Sequence, residues 1–258
     1  MTNTQFNYNN IKIDEEWEWY IAQLFFNIAQ NCKLAPKVVV EVAPGYRHKI
    51  AIMLSQLNFS GELFVVDNNK NVLEFVEYKY KQLLPKAKIT CLHQSFENAI
   101  ELLPQNIDVF VANHIVDDML LEEYISKTKY NTMLDKAFLA DSFAKLWESF
   151  SKNQNQIKMC TDFVVDSFEK LVNKKQIDFA IISQYKSNLF LKDKSLPMEK
   201  ITRACFDKIK KLFDCDDEKI NQMLKVYPFG EDERYLGKEL LDNTQNAKNW
   251  IVGKPKGE

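Results

Sequence analysis

Along the chain, the spacing of apolar positions changes period several times, and each change marks an element. From Asp14 to Cys32, Trp17, Tyr20, Ile21, Leu24, Phe25 and Ile28 recur at helical spacing, with Asp14 placed as the N-cap and Pro36 as the stop. Lys37-Val38-Val39-Val40-Glu41-Val42 is then a short β-branched run, the pattern of a strand buried on both faces. The turn Ala43-Pro44-Gly45 leads into a helix that faces inward with Ile50, Met53, Leu54 and Leu57. Gly61 opens a second strand, Glu62 to Val66; a helix from Asn71 to Leu84 follows, closed by Pro85. Ile89 to Leu92 reads as a third strand, Glu97 to Leu103 as a short helix and Ile107 to Ala112 as a fourth strand. Strands and helices that alternate through short turns predict a parallel sheet with right-handed crossovers.

The rhythm then slackens. Residues 120–175 hold about three helices, more than one crossover needs, so part of this stretch reads as a helical cap inserted after strand four. Ile177 to Ile182 is the fifth strand, Met198 to Phe213 an amphipathic helix and Glu218 to Val226 another. Tyr235 to Leu241 and Asn249 to Gly253 read as a closing antiparallel pair, which makes seven strands. The expected fold class is α/β, a doubly wound and mostly parallel seven-stranded sheet. Residues 1–36 form an N-terminal helical extension and residues 37–258 the main domain.

Composition narrows the classes. Only 6 Gly and 7 Pro stand beside 18 Phe and 10 Tyr in 258 residues, which excludes collagen-like and disordered chains. The net charge is −2, and of the 34 basic residues only Arg47, Arg203 and Arg234 are arginine. Arginine is the preferred partner of phosphates and base edges, so nucleic acid is not an expected partner. Cys32, Cys91, Cys160, Cys205 and Cys215 are odd in number and scattered, as expected of reduced thiols rather than disulfides or a zinc cluster. The polar start, Met1 to Asn10, has neither the basic residues nor the apolar core of a signal peptide. No apolar run approaches the ~18 residues of a membrane span. A cytoplasmic protein with no membrane partner is the expectation.

In open α/β sheets the ligand lies beyond the carboxyl ends of the strands, where the strand order reverses. The turns that should converge there carry Glu41-Val-Ala43-Pro-Gly45-Tyr, Asp67-Asn68, His93-Gln-Ser95-Phe96 and Asn113-His114 through Asp118. Gly45 lets the backbone approach a ligand, and the following helix start favours an anion. A dinucleotide site needs three glycines in G-x-G-x-x-G, and here the slots hold Ala43, Gly45 and His48. Asp67 at a strand end has the geometry to accept hydrogen bonds from vicinal ribose hydroxyls; the alternative is that it caps the next helix.

Glu41-Val-Ala-Pro-Gly-Tyr resembles motif I of the class I S-adenosylmethionine-dependent methyltransferases, and Val65-Val66-Asp67 resembles their acidic second motif. The likeness runs from about Lys37 to Asp118 and implies a Rossmann-like fold. It implies S-adenosylmethionine as cofactor, with Glu41, Ala43 and Gly45 around the methionine portion and Asp67 and Asn68 at the ribose. Ser95 and Phe96 would line the adenine pocket, and Asn113 would lie beside the sulfonium. Ala43 and Arg47 stand where the family has its first and third glycines.

His114 stands on the rim where a base for the acceptor is needed, or else only hydrogen-bonds its turn. Asp117 and Asp118 cap the next helix, bind a divalent metal or hold a cationic acceptor; a metal needs a third ligand, and none is identifiable. The sequence here is not the N/D-P-P-Y/F motif, which disfavours acceptors with exocyclic or amide nitrogens. The expected activity is methyl transfer to a small-molecule or protein acceptor, oxygen slightly before nitrogen. Two other readings are a non-catalytic interaction protein on a degenerate fold and a nicotinamide-dependent oxidoreductase. The aromatic stripes Trp17, Tyr20, Phe25 and Phe138, Phe143, Trp147, Phe150 read as core, or alternatively as a lid over an apolar acceptor. Oligomeric state is left open, a homodimer being one option.

Overall fold

The computed structural model describes residues 15–128, 140–185, 198–225 and 242–257. In chain order the elements are α1 (Glu15–Asn31), β1 (Val38–Val42), α2 (Lys49–Gln56), β2 (Glu62–Asp67), α3 (Lys70–Leu83), β3 (Lys88–His93), α4 (Phe96–Ala99) and β4 (Asn106–Asn113). There follow α5 (Ile115–Ser126), α6 (Ala140–Ser151), α7 (Gln154–Lys174), β5 (Gln176–Ser183), α8 (Met198–Lys210), β6 (Phe213–Cys215), α9 (Asp217–Met223) and β7 (Trp250–Pro255).

The seven strands form one sheet in the order β3-β2-β1-β4-β5-β7-β6. The strands β1 to β5 are mutually parallel, and β7 runs antiparallel to both β5 and β6. This is a Rossmann-like α/β fold whose strand order reverses between β1 and β4. The closing pair differs from the sequence expectation. β7 begins at Trp250, one residue inside the expected Asn249 to Gly253, but its outer antiparallel partner is Phe213–Cys215, whose first residue closes the expected helix Met198 to Phe213. Three residues are too few to display a period of two. Gly253 permits the close pairing, because a Cβ there would collide with the carbonyl of Asp214. Tyr235 to Leu241 lies outside the described residues, as do Asp14 and Phe138.

Alternation along each strand divides the apolar side chains between two cores. Val40, Val42, Phe110, Ala112, Ala180 and Ile182 face α4, α5, α6, α7 and α8. Val39, Leu63, Val65, Val109, Val111 and Ile181 face α1, α2, α3 and α9. Trp147 and Phe150 of α6 are fully buried in the first core, and Phe168 of α7 stacks on Phe96 and Phe110.

The N-terminal helix is a full member of the second core. Tyr20, Ile21, Leu24, Phe25 and Ile28 are all buried, and the Phe25 ring meets Trp250 of β7 edge-on at 5.0 Å. Phe25→Ala should therefore cost about 3–5 kcal/mol of unfolding free energy in urea. A helix merely resting on the surface would lose less than about 1 kcal/mol.

Candidate functional site

Beyond Val42 the chain must turn sharply to enter α2, and it does so with two residues in the left-handed region, Ala43 at φ +53° and Gly45 at φ +58°. Glycine adopts this conformation freely, whereas alanine pays about 1–2 kcal/mol for its Cβ. A hydrogen bond fixes the turn to β2: the Ala43 N–H donates to the Val66 carbonyl at 2.8 Å. Asp67 accepts from the Asn69 N–H at 2.8 Å, and burial raises its carboxyl above the usual range. The helix cap is Asn69, which accepts from the N–H groups of Asn71 and Val72; this corrects the alternative that Asp67 caps α3.

Beneath that turn lies a group of buried charges. Tyr80 of α3 donates its hydroxyl to the Glu41 carboxylate, at 3.0 and 2.8 Å from the two oxygens. Burial pushes the Glu41 carboxyl up to about 8 and the Lys49 ammonium down to about 8. Glu18 of α1 is fully buried; its Oε2 accepts from the His48 N–H at 3.0 Å, and its Oε1 lies 3.5 Å from Arg47 Nε. Arg47 thus pairs with the N-terminal helix.

On the other side of the reversal, β4 ends at Asn113, whose Oδ1 accepts from Ser183 Oγ at 2.9 Å. His114 follows in a left-handed conformation, φ +62°, with its N–H donating to the Ser183 carbonyl at 2.9 Å. Its ring meets Tyr185 edge-on at 4.2 Å, and its Nδ1 lies 3.4 Å from Gln184 Nε2 and 3.9 Å from Asp117 Oδ2. The start of α5 is capped by Gln184, whose Oε1 accepts from the Val116 N–H at 3.0 Å and whose Nε2 donates to Asp117 Oδ1 at 2.8 Å. Asp117 and Asp118 lie within the first turn, where carboxylates favour the helix dipole, but neither makes the cap.

The remaining strand-end residues complete an acidic rim. Asn68 donates from Nδ2 to Glu122 Oε1 at 2.8 Å, and its carbonyl lies 3.0 Å from His93 Nε2. Ser95 Oγ donates to Glu97 Oε1 at 2.6 Å. Phe96 is 5% exposed, and its ring belongs to the first core. Enclosure of its carboxyl by the rim and the like charges of Asp117, Glu122 and Asp67 hold Asp118 above the usual range. Among the described residues no group of three or more His, Cys, Asp and Glu side chains is placed to hold a metal. An open groove of about 620 Å³ lies beside β6, at the far edge of the sheet, and none of the strand-end residues above lines it.

Several solved methyltransferase structures resemble the chain in arrangement. The plantazolicin methyltransferase BpumL in complex with SAH is 12% identical over 97% of this chain and 88% of its own, with a TM-score of 0.40. The bifunctional kinase-methyltransferase WbdD is 8% identical over 74% of this chain, with a TM-score of 0.43; the chain spans 32% of WbdD's length. NSun6 from Pyrococcus horikoshii with SFG is 11% identical over 77% of this chain and 42% of its own, with a TM-score of 0.41. No family model and no curated protein sequence matches the chain. Likeness of this degree leaves the chemistry to be read from the site itself.

The structure brings Glu41, Ala43, Gly45 and Asp67 together on one side of the reversal and Asn113, His114 and Asp117 on the other. It adds residues that the strand-end reading passed over. Glu18 carried a signal: it lies three residues before Ile21 and seven before Phe25, so a carboxylate sits on the apolar face of α1. Gln184 and Tyr185 directly follow β5, a strand end whose turn was not read with the first four. Lys49 and Tyr80 lie inside helices and became visible only through their burial.

The buried Glu41 carboxyl makes stability depend on pH. Its pKa is higher in the folded chain, about 8, than the ordinary value of 4.5, so between these pH values the unfolded chain has released a proton that the folded one retains. Stability therefore falls as pH rises through this window, by at most about 1.4 kcal/mol per unit from this group. Glu41→Gln should flatten that fall in urea titrations between pH 5 and 8, and an unchanged slope would contradict the assignment.

Proposed function

We propose that the chain is an S-adenosylmethionine-dependent methyltransferase. The observation that carries the reading is the placement of the left-handed turn after β1, at Ala43 and Gly45, next to the Asp67 carboxylate at the end of β2, beside the point where the strand order reverses. The donor set suits the group: a carboxylate for ribose hydroxyls at Asp67, an open turn at Gly45 where nothing lies within 4 Å of a Cβ position, and the buried Glu41 and Lys49 side chains below it. Bound S-adenosylmethionine supplies an electrophilic methyl group on a sulfonium. Gly45 and Ala43 shape the turn around the amino-acid portion, Asp67 and Asn68 hold the ribose, Ser95 borders the adenine side, and Asn113 stands by the reacting centre.

His114 acts as the base that takes the acceptor's proton. Its Nδ1 lies beside Asp117, whose carboxylate stabilises the proton the ring gains, while Gln184 and the edge-on Tyr185 orient the ring. The acceptor is a small molecule or a protein side chain, with oxygen preferred to nitrogen. The rim of Asp67, Asp118 and Glu122 favours a neutral or cationic acceptor and repels nucleic acid. Asp67, Gly45 and Asn113 would hold the cofactor in line with the acceptor, and alignment is the main contribution the protein makes to an in-line displacement.

S-adenosylhomocysteine should raise the thermal midpoint of the wild-type protein, and Asp67→Ala should abolish the shift; no shift at millimolar ligand would sink the reading. His114→Ala should leave that shift intact while lowering kcat on an accepted substrate about 10²–10⁴-fold. A non-catalytic binding protein on this fold would show the shift and no transfer to any acceptor. NADH binding in the same assay would favour an oxidoreductase.

A further inference from the structure

The two edges of the sheet are built differently. β6 closes one side with three residues, one of them the exposed Asp214, beside Pro255 of β7. A short edge strand that carries a charge discourages pairing with further strands. β3 closes the other side with six residues, paired to β2 without a bulge, and Ile89-Thr90-Cys91-Leu92 holds neither a charge nor a proline. Among the described residues no strand pairs with its outer side. Ile89 and Cys91 are half-buried against the second core and Leu92 against the first, whereas the apolar side chains of β4 are all buried. β3 thus has the exposure of a strand that lacks one neighbour.

The backbone bonds show which groups face outward. The Lys88 N–H donates to the Gly61 carbonyl at 2.9 Å, and the Gln94 N–H donates to the Asp67 carbonyl at 3.2 Å. Successive residues point these groups to opposite sides of a strand. Thr90 and Leu92 therefore also face β2, while Ile89, Cys91 and His93 turn their N–H and C=O groups to the outer edge. Charge is ordered along the same edge. Glu77 and Lys81 of α3 both act on the Cys91 thiol. Because α3 runs back toward the start of β3, Lys81 lies nearer the amino end of the strand and Glu77 nearer the carboxyl end. Lys86 and Lys88 stand at the amino end, where Lys88 pairs with Glu62, and Glu97 follows the carboxyl end.

We propose that β3 pairs antiparallel with β3 of a second copy of this chain, across a two-fold axis at Cys91, and joins the two sheets into one. A two-fold normal to the sheet keeps each face on its own side, so residues opposite one another must share a face. An axis at Cys91 meets that condition and uses every outward group. Cys91 exchanges bonds with its own counterpart, and Ile89 exchanges them with His93 of the second copy. Thr90 then lies opposite Leu92 of the second copy and helps to cover it. The same axis sets Glu77 of each copy toward Lys81 of the other, and Lys86 toward the turn that carries Glu97. A charge order that runs from basic to acidic along an edge is complementary to its own two-fold image. That self-complementarity selects a second copy over a strand of some other protein. The pairing does not depend on the methyltransferase reading.

Analytical ultracentrifugation of the wild type at up to about 100 μM, enough to populate a dimer of micromolar affinity, should give the mass of two chains. Cys91→Pro removes the outward N–H at the axis and keeps every bond to β2, so it should leave a folded monomer. Glu77→Lys changes an exposed side chain; it should weaken the dimer about tenfold or more, and adding Lys81→Glu should restore it. Amide hydrogen exchange reads the interface itself. In the wild type, the N–H groups of Ile89 and His93 should exchange as slowly as those of Thr90 and Leu92. In Cys91→Pro the first two should exchange about tenfold or more faster while the second two stay protected. A wild type that remains monomeric overturns the proposal. So does a dimer whose Ile89 and His93 amides exchange freely, because its interface then lies elsewhere.

Discussion

Right-handed crossovers carry the chain from β1 outward through β2 to β3, and then back across β1 to β4 and onward to β5. The helices that follow β1 and β4 therefore leave on opposite faces of the sheet, and a crevice opens between the two strand ends. The site described here depends on that divergence. It places the turn at Ala43 to Gly45 opposite Asn113 and His114, with Asp67 of the neighbouring strand closing one side. The turn is held in its left-handed course by the β2 strand end through the Val66 carbonyl. The Asp67 carboxylate is itself fixed by the Asn69 N–H before any ligand arrives, which lowers the ordering cost of binding.

The N-terminal helix changes the meaning of the departures from the glycine pattern. Ala43 accepts a left-handed conformation at a cost, and Arg47 occupies a slot where the resembling family has glycine. In isolation both read as decay of a nucleotide site. With α1 in place, Arg47 pairs with a fully buried carboxylate from that helix, and the turn is anchored from both sides. The same helix fills the second core with Tyr20, Leu24 and Phe25. Packing and charge placement are thus coupled: the burial that seats α1 is what holds Glu18 out of water.

The parallel half of the sheet was legible in the sequence because its strands are buried on both faces and punctuated by Gly61, Pro85 and short turns. The strand bounds fell within one residue of the pattern for β2 and β4. The last sheet partner was not legible, since Phe213–Cys215 continues the apolar spacing of the helix before it. At the site, positions directly after strands could be named from topology alone. Of the charges contributed by helices, Glu18 was signalled by its place on the apolar face of α1, whereas Lys49 at the start of α2 had no such signal. Trp147 and Phe150 of α6 follow the plain core reading, both fully buried.

The claim at the centre of this account is that Asp67 holds a ribose where the strand order reverses. A crystal structure of the protein with S-adenosylhomocysteine tests it most directly. The account predicts both ribose hydroxyls on the Asp67 carboxylate, with the ligand's sulfur lying toward Asn113. Ligand density elsewhere, for instance in the groove beside β6, or a ribose with no contact to Asp67, would contradict it.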